Sequence, residues 1–127
     1  MIFPAIHLFA QRLKKARVTA GISQRQLAEA THLCRDTIND YETGYLDSIS
    51  KESLTKLLTV LDKNILCDDY CIFILNQADN INKLLNTYTF KKLSELLEVH
   101  TTTIGHWLHN KFQISRKQYE KIFLLSH

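Results

Sequence analysis

Arg35, Asp36, Asn39 and Asp40 stand on the polar side of a short segment, CRDTINDYE, whose Ile38 and Tyr41 fall on the opposite side at helical spacing. Each of the four can meet a hydrogen-bonding edge. A guanidinium is a fork of donors that suits the paired acceptors of guanine. A carboxamide matches the donor and acceptor of adenine, and a carboxylate accepts from the amino group of cytosine. Cys34 opens the same segment. The two acids also repel phosphate, so any polyanion read by this set must be anchored by other groups. Gln24 and Arg25 follow Ser23 at the start of a helix whose first amides favour an anion, and Ser50 and Lys51 open another.

No comparable set points to catalysis. No arrangement of histidine, cysteine and carboxylate forms a recognisable triad, phosphate loop or deaminase motif, so the chain is read as no enzyme, with no cofactor. Cys34, Cys67 and Cys71 are an odd number in a chain that reads as intracellular, which argues against a disulfide framework. Cys67 and Cys71 lie one helical turn apart, as do His106 and His109, yet neither pair brings the further ligands of a zinc site. No metal is expected. The opening MIFPAIHLF lacks the charged start and cleavage site of a signal peptide, and no apolar run approaches about 18 residues. The expectation is a cytoplasmic protein with no membrane partner. A net charge of +3 permits an anionic partner, but any basic surface must come from arrangement.

One proline, three glycines and apolar residues repeating at three and four predict an all-α chain. Leu8, Leu13, Ala16, Val18 and Ala20 mark a first helix that Gly21 ends. Ser23 to Gln26 has capping-box form before a second helix with Leu27, Ala28 and Ala30 on its apolar side. A break at Thr31 to Leu33 leads to a third helix over 34–43. Ser50 caps a fourth with Leu54, Leu57, Leu58 and Leu61, where the first half closes. Tyr70, Phe73, Ile74, Ala78, Ile81, Leu84 and Leu85 then predict one helix of about 18 residues. Thr89 caps a helix through Leu97, His100 to Asn110 makes another, and Ser115 to Gln118 forms a second capping box, with Tyr119, Ile122 and Phe123 inward.

The halves echo each other. Sixty-six positions separate Ser23 from Thr89, Leu27 from Leu93, Thr37 from Thr103, Ile38 from Ile104 and Tyr41 from Trp107; after a one-residue slip, Ser50 pairs with Ser115. A duplicated helical unit is the reading, with domains at 1–66 and 67–127.

The stretch RVTAGISQRQLAEATHLCRDTINDYETG resembles the phage-repressor (Cro-type, lambda-repressor-like) helix-turn-helix family through Arg17, GISQ, LAE, RDTI and YETG, over residues 8 to 62. The resemblance implies a five-helix DNA-binding domain that inserts its third helix, 34–43, into the major groove. It implies base contacts from Cys34, Arg35, Asp36 and Asp40 and a phosphate contact from Gln24. It also implies an internal ion pair between Arg17 and Glu42. Such chains are common on phages and other mobile elements. Histidine at position 32, where the family often has glycine, and cysteine at 34, where it has serine or threonine, depart from the pattern.

Residues 88 to 124 resemble the same motif less closely. The ion-pair positions become Lys83 and Leu108, and His100, Thr101, Thr102 and His106 take the outer side, with Lys91 and Lys92 for phosphate. The expected fold is therefore a lambda-repressor-like domain followed by a second small helix-turn-helix-like unit. The expected function is sequence-specific transcriptional regulation, as a repressor, with double-stranded DNA as partner. An alternative is a protein-interaction module on the same fold, an antitoxin or phage-encoded inhibitor, that meets its partner through the C-terminal half. A further use of the second unit is homodimerisation, which leaves one reading head per subunit and a two-fold operator.

Overall fold

Side-chain caps set the start of most helices. The computed structural model describes residues 5–125 and the side chains of 9–125; its regular structure there is all helix. The start from Met1 to Pro4 and the Leu8 side chain, used above for the leader and first-helix readings, lie outside the described residues. The chain divides into two compact units, Met1–Cys71 and Ile72–His127.

In the first unit α1 (Ala5–Thr19) stops before Gly21, whose φ of 74° is a left-handed conformation that glycine enters without strain. α2 (Gln24–Thr31) opens on a complete capping box. Ser23 Oγ accepts from the Gln26 amide at 3.0 Å, and Gln26 Oε1 accepts from the Ser23 amide at 2.9 Å. His32 ends α2 in the left-handed region, and α3 (Arg35–Glu42) follows. Cys34, at its N-cap, makes no side-chain cap bond. Ser50 caps α4 (Lys51–Leu57) and Asp62 caps α5 (Lys63–Leu66). A single turn shows no periodicity, so α5 escapes the apolar pattern, although the five-helix resemblance includes it.

Phe9, Leu13, Ala16, Leu27, Ile38, Tyr41, Ile49, Leu54, Leu57, Leu61 and Leu66 are buried and make this core. Helix α1 packs on α3 and α5, and α2 on α3 and α4. Phe9 meets Tyr41 edge to face, with centroids 5.9 Å apart. Val18, expected inward, is 59% exposed. It lies two residues past buried Ala16, about 200° round the helix, so α1 cannot bury both against one partner. Ala20 and Ala30 are exposed as well.

Toward and through the second unit run α6 (Asp69–Leu75), α7 (Gln77–Thr87), α8 (Phe90–Leu97), α9 (Thr101–Leu108) and α10 (Arg116–Leu125). The single long helix expected across Tyr70 to Leu85 is two, broken at Asn76, whose φ of −130° and ψ of 43° leave the helical region. Asn80 Nδ2 donates at 3.1 Å to the Phe73 carbonyl beside the break. Gln77 begins α7 only 4% exposed, three residues after buried Ile74 and four before buried Ile81. Its Nε2 donates to the carbonyls of Trp107 at 3.0 Å and Phe112 at 2.9 Å, and its Oε1 accepts from the Ile114 amide at 2.8 Å. A buried carboxamide thus satisfies three backbone groups at the end of α9 and in the loop beyond it.

Thr89 caps α8 by accepting from the Lys92 amide at 3.1 Å, and Glu98 ends it left-handed. At α10 Ser115 Oγ accepts from the Gln118 amide at 3.2 Å, but the return bond of a capping box is not made: Gln118 Oε1 is buried without a partner. Ile122 is buried, whereas Phe123, expected beside it, is 39% exposed, one step of about 100° round the helix.

Equal displacements relate elements of the two units. Gln24 and Thr31 bound α2 as Phe90 and Leu97 bound α8, and Arg35 and Glu42 bound α3 as Thr101 and Leu108 bound α9, each 66 positions on. The same step relates left-handed His32 to Glu98 and Gly44 to Asn110, and buried Ile38 to Ile104 and Tyr41 to Trp107.

Replacing Gln77 with alanine removes three hydrogen bonds, although the Trp107 carbonyl keeps the Asn110 amide. Gln77→Ala is predicted to cost about 2–4 kcal/mol of stability, read by urea denaturation of the full chain.

Candidate nucleic-acid interface

The short helix α3 has two sides with opposite needs. Ile38 is fully buried and Tyr41 nearly so, and burying each such side chain contributes about 1.5–3 kcal/mol to holding the helix down. Arg35, Asp36 and Asn39 are exposed on the other side with Cys34 just ahead of them, and Asp40 is half-buried. Burial raises the Tyr41 phenol above its ordinary pKa, so at neutral pH its hydroxyl stays a donor, directed at the Ser48 carbonyl.

An ion pair fixes the end of α3. Arg17 Nε lies 2.7 Å from Glu42 Oε2 and its Nη2 donates to Glu42 Oε1 at 3.0 Å, a bidentate fork; Nη1 donates to the Ile22 carbonyl at 3.0 Å. The Arg17 and Glu42 side chains are 14% and 4% exposed. The hydrogen bond to Glu42 raises the Arg17 pKa against the opposing effect of burial. One guanidinium therefore ties α1 to the end of α3 and to the segment leading into α2.

Gln24 joins this cluster. Its Nε2 donates to Glu42 Oε1 and to Asn39 Oδ1, both at 3.3 Å. Both side-chain hydrogens are engaged inside the protein, which leaves a carbonyl oxygen that an anion does not accept. The first-turn backbone amides of Gln24 and Arg25 lie at the same helix start. Arg25 is exposed with its Nε 3.5 Å from Glu29 Oε1, a pair too solvated to hold the guanidinium in place. At α4 Ser50 Oγ accepts from the Ser53 amide at 3.1 Å, and Lys51 is exposed.

In the second unit Lys91 and Lys92 are exposed in the first turn of α8, and His100, Thr101 and Thr102 are exposed around the start of α9. His100 is part of the helix cap: its Nδ1 accepts from the Thr102 amide at 3.1 Å, leaving Nε2 outward. His106 is half-buried, its ring edge to face with Phe112 at 5.0 Å. A Cβ at Gly105 would meet nothing within 4 Å, so its place in mid-helix answers no close approach among the described residues.

Residues 13–66 match the helix-turn-helix family. No curated protein and no solved structure matches the chain. The helix-turn-helix match falls on the first unit, and the matched family is one of DNA-binding regulators generally without catalytic activity. The fold is all-α and consistent with the lambda-repressor-like class. No described helix is long and apolar enough to cross a membrane, and no three described histidine, cysteine or acidic residues group as a metal site would require. Cys67 and Cys71 are buried and hydrogen-bonded to each other, which lowers the first thiol's pKa and raises the second's.

Sequence reasoning did not find the Gln24–Asn39 contact or the Gln77 tie. Only the second left a signal: a polar residue in register with Ile74 and Ile81.

Removing one partner of the buried pair leaves a charge without its counterion. Arg17→Ala is expected to lower stability by about 3–5 kcal/mol, while the double change Arg17→Met with Glu42→Leu falls within about 1 kcal/mol of the wild type. Chemical denaturation of both variants measures the difference.

Proposed function

We propose that the chain is a sequence-specific DNA-binding transcriptional repressor in which α3 enters the major groove. One observation carries this reading: a helix locked by Ile38 and Tyr41 turns Arg35, Asp36 and Asn39 to solvent. Arg35 supplies the bidentate contact to guanine and Asp36 and Asp40 accept from cytosine amino groups. Cys34 makes apolar contact with a base edge. The first-turn amides of α2, Arg25, Ser50 and Lys51 anchor phosphates. Ion pair and capping box hold these groups in register.

We further propose that α8 and α9 form a second, divergent helix-turn-helix from duplication of the first. The matching helix bounds, the left-handed residues at both turns and the shared buried positions support it. In this reading Lys91 and Lys92 meet phosphate, and Thr101, Thr102, His100 Nε2 and His106 line the outer side. The groups there make single hydrogen bonds or touch a thymine methyl, so this unit adds affinity more than discrimination.

A protein partner for the second unit is favoured by a different observation. Phe90 is 41% exposed at the position that Gln24 holds in α2, and Phe112 and Leu124 are 61% and 72% exposed. Such residues suit an apolar contact.

Random-site selection with the full chain tests the main reading, and uniform recovery of all duplexes refutes sequence specificity. On the selected duplex Arg35→Ala is expected to cost about 1–3 kcal/mol of binding and to relax one base position. Lys91→Ala combined with Lys92→Ala is expected to reduce the slope of log affinity against log salt by about 2 units. An unchanged slope assigns the second unit to a protein partner.

A further inference from the structure

Asn39 does not face DNA with both ends of its amide. The chain of donors and acceptors behind it runs from a group whose role is unambiguous. Glu42 takes two donors from Arg17, at 2.7 Å and 3.0 Å, and in that fork its carboxylate is an acceptor only. The third group on it, Gln24, must therefore present its NH2, which it does at 3.3 Å from Glu42 Oε1. The second hydrogen of that NH2 points at Asn39, so Asn39 must answer with its oxygen; Oδ1 lies 3.3 Å from Gln24 Nε2. The ion pair, two side chains away, sets which end of the Asn39 amide turns back to α2. The Nδ2 end is left for the exposed side of α3.

We infer that Asn39 is a specificity-determining residue that offers DNA a donor alone and reads the acceptor edge of guanine, with Gln24 as its positioning residue. This rests on the reading of α3 as a major-groove helix. The bidentate pairing of asparagine with adenine needs a donor and an acceptor from one amide. With Oδ1 turned toward Gln24 it keeps a second lone pair, but the two ends of the amide no longer lie side by side along one base edge, and that match is lost. Guanine shows two acceptors, N7 and O6, and an NH2 group suits both. The expectation from residue type alone, adenine opposite Asn39, is thereby changed to guanine.

Random-site selection with the full wild-type chain and with Asn39→Ala identifies the position that Asn39 reads, as the one relaxed in the variant. That position is expected to carry guanine, with the wild type preferring it over adenine by about tenfold in direct binding. Gln24→Met keeps side-chain length and removes the amide. It frees Asn39 to turn, and the guanine preference is expected to fall to within about threefold, or to move to adenine. Adenine at that position with the wild type overturns the inference. So does a tenfold guanine preference that survives Gln24→Met in a variant whose thermal unfolding matches the wild type. If a site is selected but no position relaxes in Asn39→Ala, this inference fails while the reading of α3 stands. If the wild type enriches no sequence, both fail together.

Discussion

A guanidinium that cannot be neutralised, closed in by its own fold, is the interaction on which the first unit turns. Arg17 reaches from α1 to the last residue of α3 and to the carbonyl of Ile22 before α2. A charge so enclosed imposes strict demands, because desolvating it is compensated only by a fully formed fork and further hydrogen bonds. Meeting them fixes three segments at one point. The axial position of α3 is then set by the charges at its end, and its rotation by Ile38 and Tyr41. A short helix with only two buried anchors would otherwise be free to slide.

The second unit answers the same mechanical problem with an amide in place of a charge. Its positions corresponding to the ion pair are Lys83 and Leu108, and neither can form the fork. Gln77 joins the start of α7 to the backbone at the end of α9 and the loop beyond. A neutral carboxamide costs less to desolvate than a charge pair and satisfies three backbone groups that would otherwise need water. Phe90 stands 66 positions on from Gln24, so no polar cluster like that around Gln24 forms beside the start of α8. The two ties are made of different chemistry and act on the same pair of elements, the helix before the motif and its last helix.

Much of this was legible in residues alone because it is local. Ser23 and Thr89 are caps wherever they precede such runs, Gly21 ends a helix, and Leu27, Ile38 and Tyr41 repeat at spacings only a helix gives. The losses have two causes: apolar type does not fix a residue's angle or a helix's end, and some side-chain bonds reach distant parts of the chain. Asn76 breaks a helix that periodicity would continue. Val18 and Phe123 are apolar by type and exposed by angle. The place of Gln24 at a helix start is local, while its bonds reach 15 and 18 residues ahead. The same holds for the candidate site. Which residues face out follows from the pattern, but which atom of Asn39 faces out does not, because it is decided by Arg17 through two intermediaries.

The capping box at Ser23, the left-handed His32 and the ion pair together make α2 and α3 complete in the free protein. These three close the motif from within the chain, although Cys34 makes no side-chain cap bond. A surface finished in advance loses little conformational entropy when it docks, and its association is limited by orientation, not by folding. In the proposed complex a mismatched base would meet an unyielding template, and the cost of the mismatch would appear as faster dissociation.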